Sequence, residues 1–93
     1  MRVPIPQRPG GTIAVVPTLR LFASAREAAG TGSATFDGQT VGEVLEHAVE
    51  RFGPAFDRVL ATCRIWVNGE AAERVAPVQP SDEVAVLPPV SGG

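Results

Sequence analysis

The sequence predicts an α+β domain in which one main helix packs against a mixed sheet of about four to five strands. Three observations carry that expectation. Ninety-three residues with 44% hydrophobic content are enough for one small core and too few for a second. Residues 40–52 hold the one long apolar stripe at helical spacing, and short β-prone runs lie on both sides of it. The last of those runs feeds PPVSGG, a side-chain-poor segment that reads as an arm leaving a folded body.

Met1 to Gly11, MRVPIPQRPGG, holds three prolines and two glycines, which frustrate helix and central strand alike. Residues 1–17 therefore read as a partly disordered N-terminal extension. Pro17 breaks the apolar run 13–22, which leaves Thr18 to Phe22 as the first strand, with Leu19 and Leu21 on one face and Arg20 and Phe22 on the other. Ser24 is placed to cap a short helix that carries Arg26 and Glu27 and ends at Gly30. Ser33 to Asp37 forms a second strand, closed by the Asp37-Gly38 turn signal.

Thr40 opens the main helix, because its hydroxyl can cap the N-terminus while Glu43 reaches back in a capping box. Val41, Val44, Leu45, Ala48, Val49 and Phe52 form its apolar stripe, with Glu43, Glu46, His47, Glu50 and Arg51 on the remaining surface. Gly53-Pro54 stops this helix and starts another through Leu60 that packs Phe56, Val59 and Leu60. Arg64 to Val67 reads as a strand, with Ile65 and Val67 inward and Trp66 outward. Asn68-Gly69 is a hairpin signal, and a weaker strand is expected near Glu73 to Val75. The last strand is Glu83 to Leu87, with Val84 and Val86 inward and Ala85 and Leu87 outward. Pro88-Pro89 ends the ladder.

Hairpin, helix and further strands in that order give the β-grasp, ubiquitin-like arrangement, with residues 18–87 as the domain and 88–93 as a flexible tail. Two packed layers then share one core.

Charge narrows the function classes. Arg2 and Arg8 lie in the N-terminal extension, so the body carries six arginines against all ten acids. Such an acidic excess argues against nucleic acid and favours a partner with basic surface. No apolar run reaches the roughly 18 residues of a membrane span, and the N-terminus lacks a signal-peptide core, so cytoplasmic residence is expected. The chain has no lysine, which excludes self-linked polymers through a side-chain amine.

Side-chain chemistry is sparse. Cys63 is the single cysteine and His47 the single histidine, so neither an internal disulfide nor a tetrahedral metal site can form from them. No cationic neighbour is evident that would lower the pKa of the Cys63 thiol, and small buried thiols are common, while His47 sits on a solvated helix flank among glutamates. No phosphate loop or carboxylate pair emerges. Reactivity is therefore expected at Gly92-Gly93, where two residues without Cβ can thread a narrow partner channel. Ordering six tail residues costs roughly 6 to 12 kcal/mol, which Pro88 and Pro89 reduce by stiffening the exit. At about 3.3 Å per residue the tail can reach some 20 Å.

Two segments carry a family resemblance that spans about residues 18–93. LFASAREAAGT near the first strand and SDEVAVLPPVSGG at the end resemble the small subunit of molybdopterin synthase, the MoaD-like sulfur carriers of the MoaD/ThiS type. Met1 to Pro17 departs from that pattern. The resemblance implies a cycle in which an adenylyltransferase of the ubiquitin-activating (MoeB-like) type spends ATP to join AMP to the Gly93 carboxylate, after which sulfur transfer gives a thiocarboxylate. A large synthase subunit (MoaE-like) would take the tail and use two such sulfurs to build the molybdopterin dithiolene. The chain itself would bind no cofactor and would be non-catalytic alone, the sulfur-carrying part of a sulfurtransferase.

In the family, positions matching Phe22 and Leu87 are apolar and face the partner. Strand parity adds Trp66 to that patch, and the motifs add Arg26 and the tail residues Pro88, Pro89, Val90 and Ser91. Related carriers that feed thiazole, cysteine or thiolated-tRNA synthesis remain open, as do a protein modifier joined to foreign lysines and a plain interaction module.

Overall fold

The structure, a computed structural model, describes residues 16–89. The readings made on 1–15 and 90–93 lie outside the described residues. Its elements are β1 (Thr18–Leu21), α1 (Ala23–Ala29), β2 (Ser33–Thr35), α2 (Val41–Phe52), α3 (Pro54–Leu60), β3 (Arg64–Val67), β4 (Glu70–Ala71) and β5 (Glu83–Leu87). The five strands form one sheet in the order β2-β1-β5-β3-β4. β1 and β5 pair in parallel and every other neighbour is antiparallel. This is the expected ubiquitin-like β-grasp.

Burial follows the period-two pattern of the strands. Leu19 and Leu21 of β1 and Val84 and Val86 of β5 are buried, and Ile65 and Val67 of β3 pack against them from the next strand. From α2 come Val41, Val44, Leu45 and Ala48, and from α3 Phe56 and Leu60. Three phenylalanines bind the layers together. Phe36 meets Phe52 edge-on at 5.6 Å, and Phe52 meets Phe56 at 5.2 Å, arrangements worth about 0.5 to 1.5 kcal/mol each beyond their burial. Ala25, Phe36 and Val78 also belong to the core. Pro17, read as part of the N-terminal extension, is fully buried, and its carbonyl accepts from the Phe36 N–H at 3.2 Å.

The start of α2 explains a difference from the sequence reading. A helix leaves its first four N–H groups without internal partners. Here Val41 donates to the Ala76 carbonyl at 2.9 Å, Gly42 to Arg74 at 2.8 Å, and Glu43 to the Thr40 hydroxyl at 3.2 Å, while Val44 N–H reaches the Thr40 carbonyl at 3.2 Å. Arg74 and Ala76 thus spend their carbonyls on the helix, and the strand expected near Glu73 to Val75 does not form. β4 forms instead at Glu70–Ala71, because Asn68 and Gly69 both take positive φ (50° and 87°) and a two-residue turn puts Glu70 directly opposite Val67. The capping box is also modified. The Glu43 carboxylate accepts from Gln39 N–H at 2.8 Å, one residue upstream of the Thr40 cap.

Two further boundaries move. α1 begins at Ala23 with Phe22 in the cap position and no side-chain cap, so Ser24 lies inside the helix and does not cap it. β2 stops at Thr35, since Phe36 turns into the core. At Asp37-Gly38 the chain passes so close to α2 that a Cβ on Gly38 would sit 2.8 Å from the Val44 backbone nitrogen.

A small polar knot fixes the other end of β5. One Asp82 carboxylate oxygen accepts from the Asn68 amide at 2.9 Å and the other from Gln79 N–H at 2.8 Å, while the Asn68 carbonyl oxygen accepts from Glu83 N–H at 3.0 Å. The backbone N–H of Gln79 and then the Asn68 amide hold the Asp82 carboxyl below the usual carboxylate range. A depressed folded-state pKa means stability that is present above the unfolded value and lost as pH falls through and below it. Asp82→Asn is accordingly expected to be less stable than the native chain at neutral pH, with the gap narrowing as pH falls below about 5 in urea titrations. In the core, Phe56→Ala should cost about 3 to 5 kcal/mol in the same assay.

Candidate functional site: the sheet face where the last strand ends

Parallel pairing brings the C-terminal ends of β1 and β5 to the same edge of the sheet, and antiparallel pairing brings the start of β3 there too. The register aligns Arg20, Ala85 and Trp66 in one outward row and places Arg64 opposite Leu87 in the next. Phe22, one residue beyond the Leu21–Val86 pair, stands beside Leu87 in that end row. Phe22 is 40% exposed and Leu87 36%. Trp66 is half-buried, paired on one side with Ala85 and on the other with Ala71, whose small side chains leave room for the indole. The strand order thus gathers Phe22, Trp66 and Leu87 on the face opposite α2.

Local backbone geometry presents Phe22. β1 stops at Leu21, and Ala23 takes a left-handed conformation, φ 52°, which a residue with a Cβ adopts at a cost of about 1 to 2 kcal/mol. The Phe22 carbonyl then accepts from Ala25 N–H at 3.0 Å and from Arg26 N–H at 3.3 Å, turning the chain into α1. Arg20 steadies the ring from its own row. Its guanidinium lies 5.9 Å from the Phe22 centroid and donates to Glu83 at 3.0 Å. Both members of that ion pair are about half exposed, so the pair orients more than it stabilises.

Arg26 takes a different position. It lies along the loop into β2, its Nε 3.4 Å from where a Cβ on Gly32 would stand, and it joins the patch through its backbone bond to Phe22. Pro88 is half-buried and Pro89 exposed, immediately past the last ladder pair. Val90, Ser91, Gly92 and Gly93 lie outside the described residues. Sequence reasoning put Arg20 on the outward face without giving it a role and did not weigh Arg64. The signal for both was parity combined with strand order, and order is not visible in a single strand.

The side chains here can bind but offer little chemistry. Burial pushes the Cys63 thiol up from its ordinary value, and its Sγ donates to the Val59 carbonyl at 3.2 Å, as a protonated thiol does. The His47 Nδ1–H donates to the Asp37 carbonyl at 2.7 Å and pins α2 to the preceding turn. Among the described residues no cluster of histidine, cysteine, aspartate or glutamate could hold a metal ion. No helix among them is long and apolar enough to cross a membrane. What the face can do is dock a protein and set the exit of the chain after Leu87.

Residues 19–93 match the ThiS family. The molybdopterin synthase sulfur carrier subunit of Chlamydomonas reinhardtii is 36% identical over 77 residues, covering 77% of this chain and 92% of its own. The subunit of the same name from Arabidopsis thaliana is 37% identical over 76 residues, covering 78% of each. The crystal structure of SAMP1, the small archaeal modifier protein 1 of Haloferax volcanii, superposes with a TM-score of 0.74 at 34% identity, covering 83% of this chain and 98% of that one.

The strained junction yields a direct test. Ala23→Val should lose about 1 to 2 kcal/mol in urea unfolding, because a branched Cβ is a steric outlier in the left-handed region, whereas Ala23→Gly should stay within about 1 kcal/mol of the native chain.

Proposed function

Because the chain belongs to the ThiS family of ubiquitin-like sulfur carriers, we propose that it is the sulfur-carrying small subunit of a molybdopterin synthase. The observation that carries this reading is the exit of β5. The last strand lies in the middle of the sheet and ends in the row formed by Phe22, Leu87 and Arg64, so a protein docked there is in place to receive the segment that follows. Two relatives that bear the synthase subunit's name at 36% and 37% identity support it.

In this mechanism the Gly93 carboxylate attacks the α-phosphorus of ATP on an activating enzyme, and pyrophosphate leaves. The mixed anhydride is the electrophile that a carboxylate is not. A sulfide-level donor then displaces AMP, and the resulting thiocarboxylate is a soft nucleophile. The large synthase subunit, docked on Phe22, Trp66 and Leu87, draws Gly92-Gly93 into its own site, and two rounds of delivery supply the dithiolene sulfurs. The glycines fit such a channel because no side chain obstructs their approach. This chain contributes position and a terminus, while ATP and the catalytic groups belong to its partners.

The likeness to an archaeal modifier protein favours one second reading, in which the activated glycine is joined to lysines of other proteins. Mass spectrometry separates the two. With ATP, an activating enzyme and a sulfur donor, the intact mass should rise by the difference between sulfur and oxygen, and deletion of Gly93 should abolish the rise with little effect on thermal stability. No rise with an activator proven on another carrier would overturn the carrier reading. Adducts on foreign lysines would establish the modifier. Phe22→Asp and Leu87→Asp should each weaken binding of the large subunit by at least about tenfold, the size expected when a charge is buried in an apolar contact, with the fold intact by circular dichroism.

A further inference from the structure

Net charge and local charge point to opposite partners. The chain is acidic overall, which by itself favours a basic partner. Its acids, however, are segregated. Glu43, Glu46 and Glu50 are exposed on α2 and Asp57 on α3, where Arg51 and Arg58 offset two of these four acids and leave a net negative surface, across the sheet from the docking face. Among the strand residues that face outward, Glu83 is the one acid, and it is already committed to Arg20 at 3.0 Å. Arg64 is exposed, stands opposite Leu87 beside the exit of the last strand, and forms no ion pair among the described residues. Glu73 and Arg74 line with it a shallow cavity of about 280 Å³, where their opposite charges offset each other.

We propose that Arg64 is a specificity residue of the docking face, meeting a carboxylate of the tail-receiving protein, whose surface there is apolar and rimmed by acids. Range decides between the two charge arguments. At physiological ionic strength the screening length is about 8 Å, so charges on the helix side contribute little to a contact made on the far face of the sheet. A basic surface would be drawn to α2 and α3, where the tail does not emerge. An acid-rimmed apolar surface is repelled there and attracted at Arg64, so the charge pattern selects the orientation as well as the partner.

The inference rests on the tail-donating reading, and the test keeps the two apart. The full chain is titrated with the large synthase subunit of the same organism at about 0.02 M and about 0.5 M salt, values that bracket the physiological screening length. Arg64→Glu should weaken binding about tenfold or more at low salt, chiefly through slower association, and the loss should shrink at high salt. Arg64→Lys should retain most of the affinity, and Glu46→Gln should leave it unchanged. If Arg64→Glu binds as tightly as the native chain while Phe22→Asp loses binding, the charge inference is overturned and the tail-donating reading stands. If the native chain does not bind the large subunit, that reading fails and this inference falls with it.

Discussion

The parallel pairing of β1 with β5 is the constraint on which the rest of the molecule depends. It joins segments more than sixty positions apart, Thr18 to Glu83 and Leu21 to Val86, and it places the last strand in the interior of the sheet with a neighbour on each side. Parallel neighbours need a crossover connection, and α2 with α3 supply the layer that covers the sheet. Val84 and Val86 are fully buried because both flanks and one face of β5 are occupied. The same pairing sets Phe22 beside Leu87 and Arg20 within reach of Glu83. The core and the outward face that carries Phe22 and Leu87 are two sides of one ladder.

The price of holding α2 in place appears in the segment that follows β4. Carbonyls of Arg74 and Ala76 serve the first N–H groups of α2, and Val78 N–H returns a bond to Gln39 at 3.0 Å. A segment that caps a helix cannot also pair as a strand, so the sheet narrows to a two-residue β4 on that edge. Asp82 and Asn68 then lock the turn before β5, and the Thr18 N–H reaches the Asp82 carbonyl at 3.1 Å. These short-range bonds set the register at the beginning of β5. That register determines which residues share the final row with Leu87.

The described side chains include no activated thiol and no metal cluster, and the polar side-chain hydrogen bonds around α2 and β5 are spent on holding turns and caps. The proposed docking face is built from two apolar residues at the end row, an indole over small neighbours, and one arginine without an ion pair among the described residues. An overall acidic chain therefore presents, among the described outward-facing strand residues, one acid, already paired with Arg20, on the face where its last strand ends. Net charge describes the whole surface, whereas docking samples only a screening length of it.

Much of this was legible in the residues themselves. The 40–52 stripe announced α2, alternation announced β1, β3 and β5 and the facing of their side chains, and Asn68-Gly69 announced a tight turn. These are local properties, set by 3.6- and 2-residue periods and by which residues tolerate positive φ. The strand expected at Glu73 to Val75, the Ser24 cap and the reach of Glu43 failed for one shared reason: a backbone donor takes whichever acceptor the folded chain brings nearest. Sequence also determined that the side chains supply little reactivity, through one cysteine, one histidine and no lysine. Only the tertiary structure decided that Phe22, Trp66, Leu87 and Arg64 share a face and that, among the described residues, Arg20 has an ion-pair partner and Arg64 has none. Strand order and register arise from long-range pairing, and no local pattern encodes them.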